Sequence, residues 1–407
     1  MKILYLHQYF NTPKMTGGTR SYEMARRFVK AGHEVHMITS WRERTGKSSG
    51  WSKEVIEGIT VHWFSVPYSN QMNYNSRIKA FIYFAISAGI KAVSLEGDIV
   101  FATSTPLTIA LPGIFASKRL KIPMVFEVRD LWPELPIAVG ALKNPVIIKA
   151  AKYLERIAYR YSNHIIALSP GMAEGIAKTG YPNNKISVIP NSCDIDFFQV
   201  PESAGNRFLE KYPELAGCPM VVYAGTLGLI NGVGYFAEIA YAMLKINPSV
   251  RFLIAGDGKE FGAIEEKARQ LGVLGTNMWM IPPVPKSTMP DLLSAAAVST
   301  SFFIDLPEMW NNSANKFFDS LAAGCPVMIN YQGWQADILQ KNGAGIIVPP
   351  GNAMQAAEIL NNFLKDSKRL NTAKCEAFRL AKNQFSRDYL SKKLLSVLES
   401  IDMYCNK

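Results

Sequence analysis

Cysteine and histidine are both scarce, at five residues each among 407. The cysteines (Cys193, Cys218, Cys325, Cys375 and Cys405) are odd in number, far apart and free of any C-x-x-C pair or histidine cluster. This excludes a disulfide framework or a zinc ribbon and reads as free thiols in a reducing compartment. No grouping of carboxylates or histidines suggests a bound cation, so neither a metal nor another cofactor is expected. Met1 runs directly into Lys2 and the apolar Ile3-Leu4-Tyr5-Leu6, without separate basic, apolar and cleavage regions, so no signal peptide is expected and the location is read as cytoplasmic. Long uncharged runs are also rare. Ile99 to Ser117 lacks charge over 19 positions, yet Pro106 and Pro112 divide it into a strand, a turn and a helix, and no transmembrane helix is expected. Acidic residues are deficient in one half only: residues 1–195 carry 24 Lys/Arg against 13 Asp/Glu, whereas the remainder is balanced at 20 against 20. The net charge of +11 therefore belongs to the N-terminal half and directs it toward an anion, whether nucleic acid, acidic lipid headgroups or a phosphorylated substrate.

What is present is the composition of a folded protein, 48% hydrophobic and 19% charged, with a length that suits two domains. Short Val/Ile-rich runs alternate with helical patterns, at Ile3-Leu4-Tyr5-Leu6, Val35-His36-Met37-Ile38, Ile99-Val100-Phe101 and Met124-Val125-Phe126. This is the βαβ pattern of a parallel sheet. The first helix carries an apolar stripe (Met24, Ala25, Phe28, Val29), an i,i+4 pair (Glu23, Arg27) and a stop at Gly32. After a loop-rich passage from Asn191 to Pro219 the alternation restarts at Met220-Val221-Val222-Tyr223, Arg251-Phe252-Leu253-Ile254, Ala297-Val298-Ser299-Thr300 and Pro326-Val327-Met328-Ile329. Two doubly wound α/β domains are predicted, with a hinge near Val188-Ile189-Pro190-Asn191 and ligands at the carboxyl ends of the strands, in a cleft that both sheets face.

Several strand ends carry candidate chemistry. Gly17-Gly18-Thr19-Arg20 opens a helix where backbone amides can approach an anion and Arg20 can add a charge-assisted bond, although the G-x-G-x-x-G spacing of a dinucleotide site is absent. Arg129-Asp130-Leu131-Trp132-Pro133-Glu134 follows a strand, placing Asp130 and Glu134 to bond sugar hydroxyls or to act as a base toward one. Gly225-Thr226-Leu227-Gly228 and Gly256-Asp257-Gly258 are turns whose N–H groups can meet a diphosphate. The most informative segment is Asn311 to Val327: loop, helix, Gly324 stop, strand. Within it Lys316 brings an ammonium to a helix start and Asp319, one turn on, can accept from vicinal hydroxyls.

In this order, these residues resemble the family 4 glycosyltransferases of the GT-B fold, in the branch that adds amino or deoxy sugars during bacterial surface polysaccharide (O-antigen or capsule) synthesis. The resemblance implies residues 1–193 as an acceptor-binding domain, 194–388 as a nucleotide-sugar-binding domain, and 389–407 as a helix packing back toward the first. It implies that Gly17 and Gly18 approach the donor phosphates, that Lys316, after Asn315, grips the diphosphate, that Asp319 binds ribose, and that the backbone at Val284 and Pro285 reads the base. Three departures stand out: Asn311 replaces the first Glu of the family's E-x7-E, Arg129 stands where relatives have His, and Leu229 and Asn231 replace a basic pair.

The implied reaction is a metal-independent, retaining transfer from a UDP-, dTDP- or GDP-sugar to a polyprenyl-diphosphate-linked saccharide, with no nucleic acid involved. Asn311, Asn315, Lys316 and the Gly225, Thr226, Gly228 loop hold the donor, and Arg129, Asp130 and Glu134 serve catalysis. The basic and aromatic stretch Arg77 to Phe84 adds an expectation of peripheral attachment to an anionic membrane face. A nucleotide-sugar 2-epimerase of the same architecture and a non-catalytic carbohydrate or partner-binding protein remain the alternatives.

Overall fold

Parallel sheets, one in each of two units, carry the chain. The computed structural model describes residues 1–405 except 16, 44–49, 67–71, 73 and 202; the side chains at 74, 75, 404 and 405, Cys405 among them, also lie outside the description. One unit comprises Met1–Pro190 with Asp388–Lys407, and the other Asn191–Arg387.

In the first unit β1 (Lys2–Leu6), β2 (Glu34–Trp41), β3 (Trp51–Ile56), β4 (Ile59–Ser65), β5 (Ile99–Thr103), β6 (Met124–Val128), β7 (His164–Ala167) and β8 (Ile186–Val188) form a sheet of order β3-β4-β2-β1-β5-β6-β7-β8. All neighbours are parallel except β3 and β4. Those two make a hairpin that turns at Glu57 and Gly58, with φ of 47° and 79°, the paired positive values that two-residue hairpins favour. Every residue of β5 and β6 is buried, which explains their unbroken apolar character: both faces of a parallel sheet are covered. The chain order reverses between β1 and β5, so the switch point of this sheet lies at their carboxyl ends.

Helix α1 (Arg20–Lys30) buries Met24, Ala25 and Phe28 as its stripe predicts, and Arg27 reaches Glu23 Oε2 at 2.7 Å. Helix α2 (Tyr74–Leu95) is the crossover from β4 to β5. One face, with Ala80, Phe84, Ala88 and Ala92, enters the core, while the other leaves Ile82, Tyr83, Ile86 and Ile90 exposed, the last two at 60% and 62%. By length and composition Ser76–Leu95 is apolar enough to cross a bilayer, at a mean hydropathy of 1.5, but its core-facing side makes it part of this α/β unit. The uncharged run from Ile99 divides into β5, a turn and α3 (Ala110–Leu120). Helices α2 and α3 meet at Gly89, where a Cβ would stand 3.1 Å from Phe115 Cδ1. Helix α4 (Glu134–Ala138) is short, and α5 (Pro145–Arg160) starts with Pro145 behind an Asn144 cap whose side chain accepts from Val146 N at 2.9 Å. The terminal helix, from Asp388 on, is held to this unit by Arg27 at Asp388 Oδ1 (2.6 Å) and by Lys393 Nζ donating to Val188 O (3.1 Å).

In the second unit β9 (Met220–Ala224), β10 (Arg251–Ala255), β11 (Met278–Ile281), β12 (Val298–Ser301), β13 (Val327–Ile329) and β14 (Gly345–Ile347) form an all-parallel sheet of order β11-β10-β9-β12-β13-β14. Its order reverses between β9 and β12, which puts the ligand-binding edge beyond Ala224 and Ser301.

Candidate active site

At that second switch point lies a cavity of ≈ 290 Å³ lined by Ala224, Gly225 and Thr226 after β9, Ser299 of β12, and Asn315, Lys316, Asp319 and Ser320 of the next helix. The Asn315–Ala322 helix has Ala314 at its N-cap with no side-chain capping bond; Phe317 N donates to Ala314 O at 3.1 Å, so the amides of Asn315 and Lys316 are the ones left to meet a ligand. Lys316 is half-buried and its Nζ donates to Tyr223 Oη at 2.6 Å while lying 4.1 Å from the centroid of the same ring. Both partners are neutral. Burial pulls the Lys316 ammonium down to about 7. Burial likewise raises the Asp319 carboxyl to about 6, against the charges of Arg387 and Lys286 and with a further push from Asp194. An amine and an acid one turn apart, both shifted toward their neutral forms by desolvation, are groups whose charge a ligand can stabilise.

The loop before this helix is tied down by residues that sequence reasoning did not single out. Asn191 donates through its N to Ser313 Oγ (3.0 Å) and through Nδ2 to Ser313 O (2.5 Å), Asn312 Oδ1 accepts from Ala314 N (3.2 Å), and Trp334 Nε1 donates to Asn312 O (2.9 Å). Asn191 and Trp334 are long-range partners with no local signal, 122 and 22 residues from the groups they hold, whereas the Asn312–Ala314 bond is local. Asn311 ends a 3-10 turn at the head of the loop, half-buried, and does not line the cavity. Val284 and Pro285 also lie outside its lining, beside the Lys286 turn that leads to the lining residue Met289.

The glycine turns correct one expectation. Gly225 N bonds Ala255 O at 3.0 Å, Leu227 N bonds Asp257 O at 2.9 Å and Gly228 N faces Asn231 Oδ1 at 3.3 Å, so these amides are already occupied. The glycines instead permit two loops to touch: a Cβ on Gly256 would lie 2.0 Å from Gly225 O, and one on Gly258 2.4 Å from Leu227 O. What Gly225 offers the cavity is space beside Lys316, whose Nζ would stand 3.4 Å from an added Cβ.

In the first unit the carboxyl edge holds Arg129, Asp130 and Glu134. Arg129 N donates to Ser104 Oγ at 3.0 Å and its Nη1 faces His7 Nε2 at 3.5 Å; among the described residues Arg129 and Asp130 form no ion pair with each other. Burial lifts the Asp130 carboxyl to about 6 despite Arg129. Glu134 is exposed at the start of α4. Behind it Glu155, buried on α5, is raised to about 7 by burial and by the charge of Glu134 while sharing a hydrogen bond with Tyr159, a carboxyl that no motif advertised. Gly17 has φ of +127°, and a Cβ there would stand 2.5 Å from Asn11 Nδ2, which itself donates to Gly18 O at 3.4 Å. The close approach at Gly17-Gly18 is thus to Asn11. Arg20 is a second correction: its guanidinium is buried, donates to Glu127 Oε1 through Nε (3.0 Å) and Nη2 (2.9 Å), and spends its other donors on Pro190 O (2.6 Å) and Ile189 O (2.9 Å). It is a structural ion pair and does not present to a ligand.

Among the described residues no group of three His, Cys, Asp or Glu comes together to hold a metal. Family comparison matches a glycosyl transferase 4-like domain over residues 16–192, from α1 to β8 of the first unit, and glycosyl transferases group 1 over 218–366, which spans β9 to β14 of the second. The chain belongs to the GT-B family 4 glycosyltransferases. This glycosyltransferase is 24% identical over 337 residues to the alpha-monoglucosyldiacylglycerol synthase of Streptococcus pneumoniae, covering 80% of this chain and 70% of that one. It is 22% identical to the probable glycosyltransferase WbjE of Pseudomonas aeruginosa, over 76% of this chain and 77% of the relative. Its fold is that of Anabaena Alr3699/HepE, solved in complex with UDP, at a TM-score of 0.73 and 17% identity, over 98% of this chain and 100% of the other. The GT-B architecture of the glycosyltransferase is therefore that of its structural neighbours, and the two sheets are its two Rossmann-like halves.

Proposed function

We propose that this glycosyltransferase moves a sugar, of the amino or deoxy class, from a nucleotide-diphosphate donor to a polyprenyl-diphosphate-linked saccharide in bacterial surface polysaccharide synthesis, with retention of configuration and without a metal. The observation that carries the reading is the cavity at the β9/β12 switch point, where Lys316 and the uncapped amides of the Asn315–Ala322 helix converge with Asp319. An ammonium with only a tyrosine for a partner matches a diphosphate, and a carboxylate one turn on matches a ribose diol. The Anabaena neighbour was solved with UDP and with UDP-glucose, which supports a UDP-type donor here. In this reading Asn311, Asn315 and Thr226 border the sugar and phosphates, and the backbone near Val284 and Pro285 meets the base. Gly17 and Gly18 approach the donor phosphates and the acceptor, and Arg129, Asp130 and Glu134 serve catalysis from the acceptor side. The C1–O bond of the donor breaks as the acceptor oxygen bonds C1 on the same face, and the acceptor proton passes to the departing phosphate. Charge that builds on that phosphate is met by Lys316 and the helix amides.

Calorimetric titration with UDP, dTDP and GDP tests the donor reading: one of the three binds, whereas a carbohydrate-binding module takes up none. Incubation of a UDP-sugar without acceptor gives no C2 epimer; accumulation of one would establish the epimerase alternative.

Attachment to a membrane is part of the same proposal. The exposed face of α2 continues onto Leu111 and Phe115 of the packed α3, with Arg77, Lys79, Lys91 and Lys118 on the same two helices. Exposed apolar side chains on helices that also carry cations suit an anionic lipid surface. Vesicles containing acidic lipid should carry the protein upward in flotation, and Ile86→Asp with Ile90→Asp should leave it at the bottom of the gradient; equal flotation with neutral lipid would remove the idea.

A further inference from the structure

The carboxyl edge of the first sheet holds three arginines that are treated differently. Arg20 is neutralised by Glu127. Arg42, which directly follows β2, has Asn11 Oδ1 as its hydrogen-bond partner and the Tyr9 ring 5.7 Å away, and Arg129, which directly follows β6, has the ring nitrogen of His7. Among the described residues neither Arg42 nor Arg129 forms an ion pair, although both are half-buried. Charges withdrawn from water are normally paired.

His7 joins them at the switch point itself, one residue beyond β1. It is 3% exposed, and its Nδ1 is buried without a partner. Burial, with the charges of Arg129 and Arg42, holds the imidazole well below its ordinary range, so it is neutral. A guanidinium only donates, so Nε2 facing Arg129 accepts and the single proton sits on Nδ1. The edge therefore gathers an orphaned N–H and two guanidinia, all donors, with no carboxylate among their hydrogen-bond partners, although the Arg129 charge is felt by Glu127, which Arg20 already holds, and by Asp130. Such a set is complementary to an anion and to little else.

We propose that Arg42, His7 and Arg129 form an anion subsite at the switch point of the first sheet, which takes the phosphate end of a phosphorylated acceptor. The assignment deepens the proposed function and rests on its reading of this unit as the acceptor side. It is separate from the diphosphate grip at Lys316, which serves the donor. The shared chemistry is a phosphate or diphosphate, free or carried on a lipid.

The test uses the full chain with UDP at saturation and follows binding of farnesyl diphosphate, farnesol and inorganic pyrophosphate by calorimetry. Farnesyl diphosphate should bind and farnesol should not. Arg42→Gln and Arg129→Gln should each weaken the complex about 10- to 100-fold, the loss typical of a hydrogen bond to a charged group, while Lys316→Ala leaves it unchanged. Pyrophosphate binding as tightly as the lipid assigns the site to free phosphorylated acceptors; much weaker pyrophosphate binding assigns it to lipid-linked ones. Equal affinity for farnesol and farnesyl diphosphate, a comparison that needs no variant, overturns the subsite. So does an Arg42→Gln protein that retains full farnesyl diphosphate affinity, or a Lys316→Ala protein that loses it. Failure of UDP, dTDP and GDP all to bind would instead sink the donor reading, and the farnesyl comparisons would still stand without it.

Discussion

Glu127→Ala should destabilise the first unit by about 3–5 kcal/mol, the cost of leaving a buried charge without its partner. Arg20 and Glu127 have side-chain exposures of 2% and 0%, and Thr103 Oγ1 closes the second carboxylate oxygen at 2.5 Å. Removing the carboxylate takes away the counter-charge of a guanidinium that also donates to Ile189 O and Pro190 O, neither of which carries a full charge. Urea unfolding followed by circular dichroism measures this as a lowered midpoint. An Arg20→Met, Glu127→Leu double variant should recover much of the loss, because it removes both desolvation costs. The pH dependence has a definite sign. Burial alone would raise the Glu127 carboxyl, but Arg20 and Arg129 outweigh it and hold the group below its ordinary value. Its contribution is therefore full above the unfolded carboxylate range and lost as pH falls through the lowered folded value. A midpoint unmoved by Glu127→Ala would show that the pair does nothing for stability.

Lys316→Ala should weaken nucleoside diphosphate binding by about 1.5–3 kcal/mol, roughly 10- to 100-fold. The more diagnostic outcome is the pH dependence. Because burial lowers the free ammonium to about 7, a diphosphate that needs it charged must drive proton uptake at higher pH. Affinity should then fall between about pH 7 and pH 9, by up to about tenfold per unit, and calorimetry in buffers of different ionisation enthalpy should register the proton. The alanine variant should be flat over that window. An identical slope in both proteins would assign the titration elsewhere and leave Lys316 without the role.

Much of the architecture was legible because it is local. The apolar runs at Ile3, Val35, Ile99, Met124, Met220 and Arg251 each fall on a strand, since a parallel strand covered on both faces must be apolar throughout. The β3–β4 hairpin escaped notice: an edge strand such as Trp51–Ile56 is largely solvated and carries no such run. Lys316 and Asp319 were found for a related reason, that a helix start after a loop fixes which residues stand one turn apart on the same face.

The sequence by itself determined two α/β units, the positions of the strand ends and a lysine and an acid one turn apart. Tertiary structure alone decided what stands opposite each polar group. Arg20 and Arg42 look alike in the chain, yet one meets the Glu127 carboxylate, 107 residues away, and the other meets the neutral Asn11 amide and the Tyr9 ring. The glycines at 225, 256 and 258 resemble phosphate loops, yet their missing side chains admit neighbouring backbone. Local pattern sets where a side chain sits on its element. Whether it is neutralised, neutral by burial or left for a ligand depends on partners that only the packed sheets bring within hydrogen-bond distance.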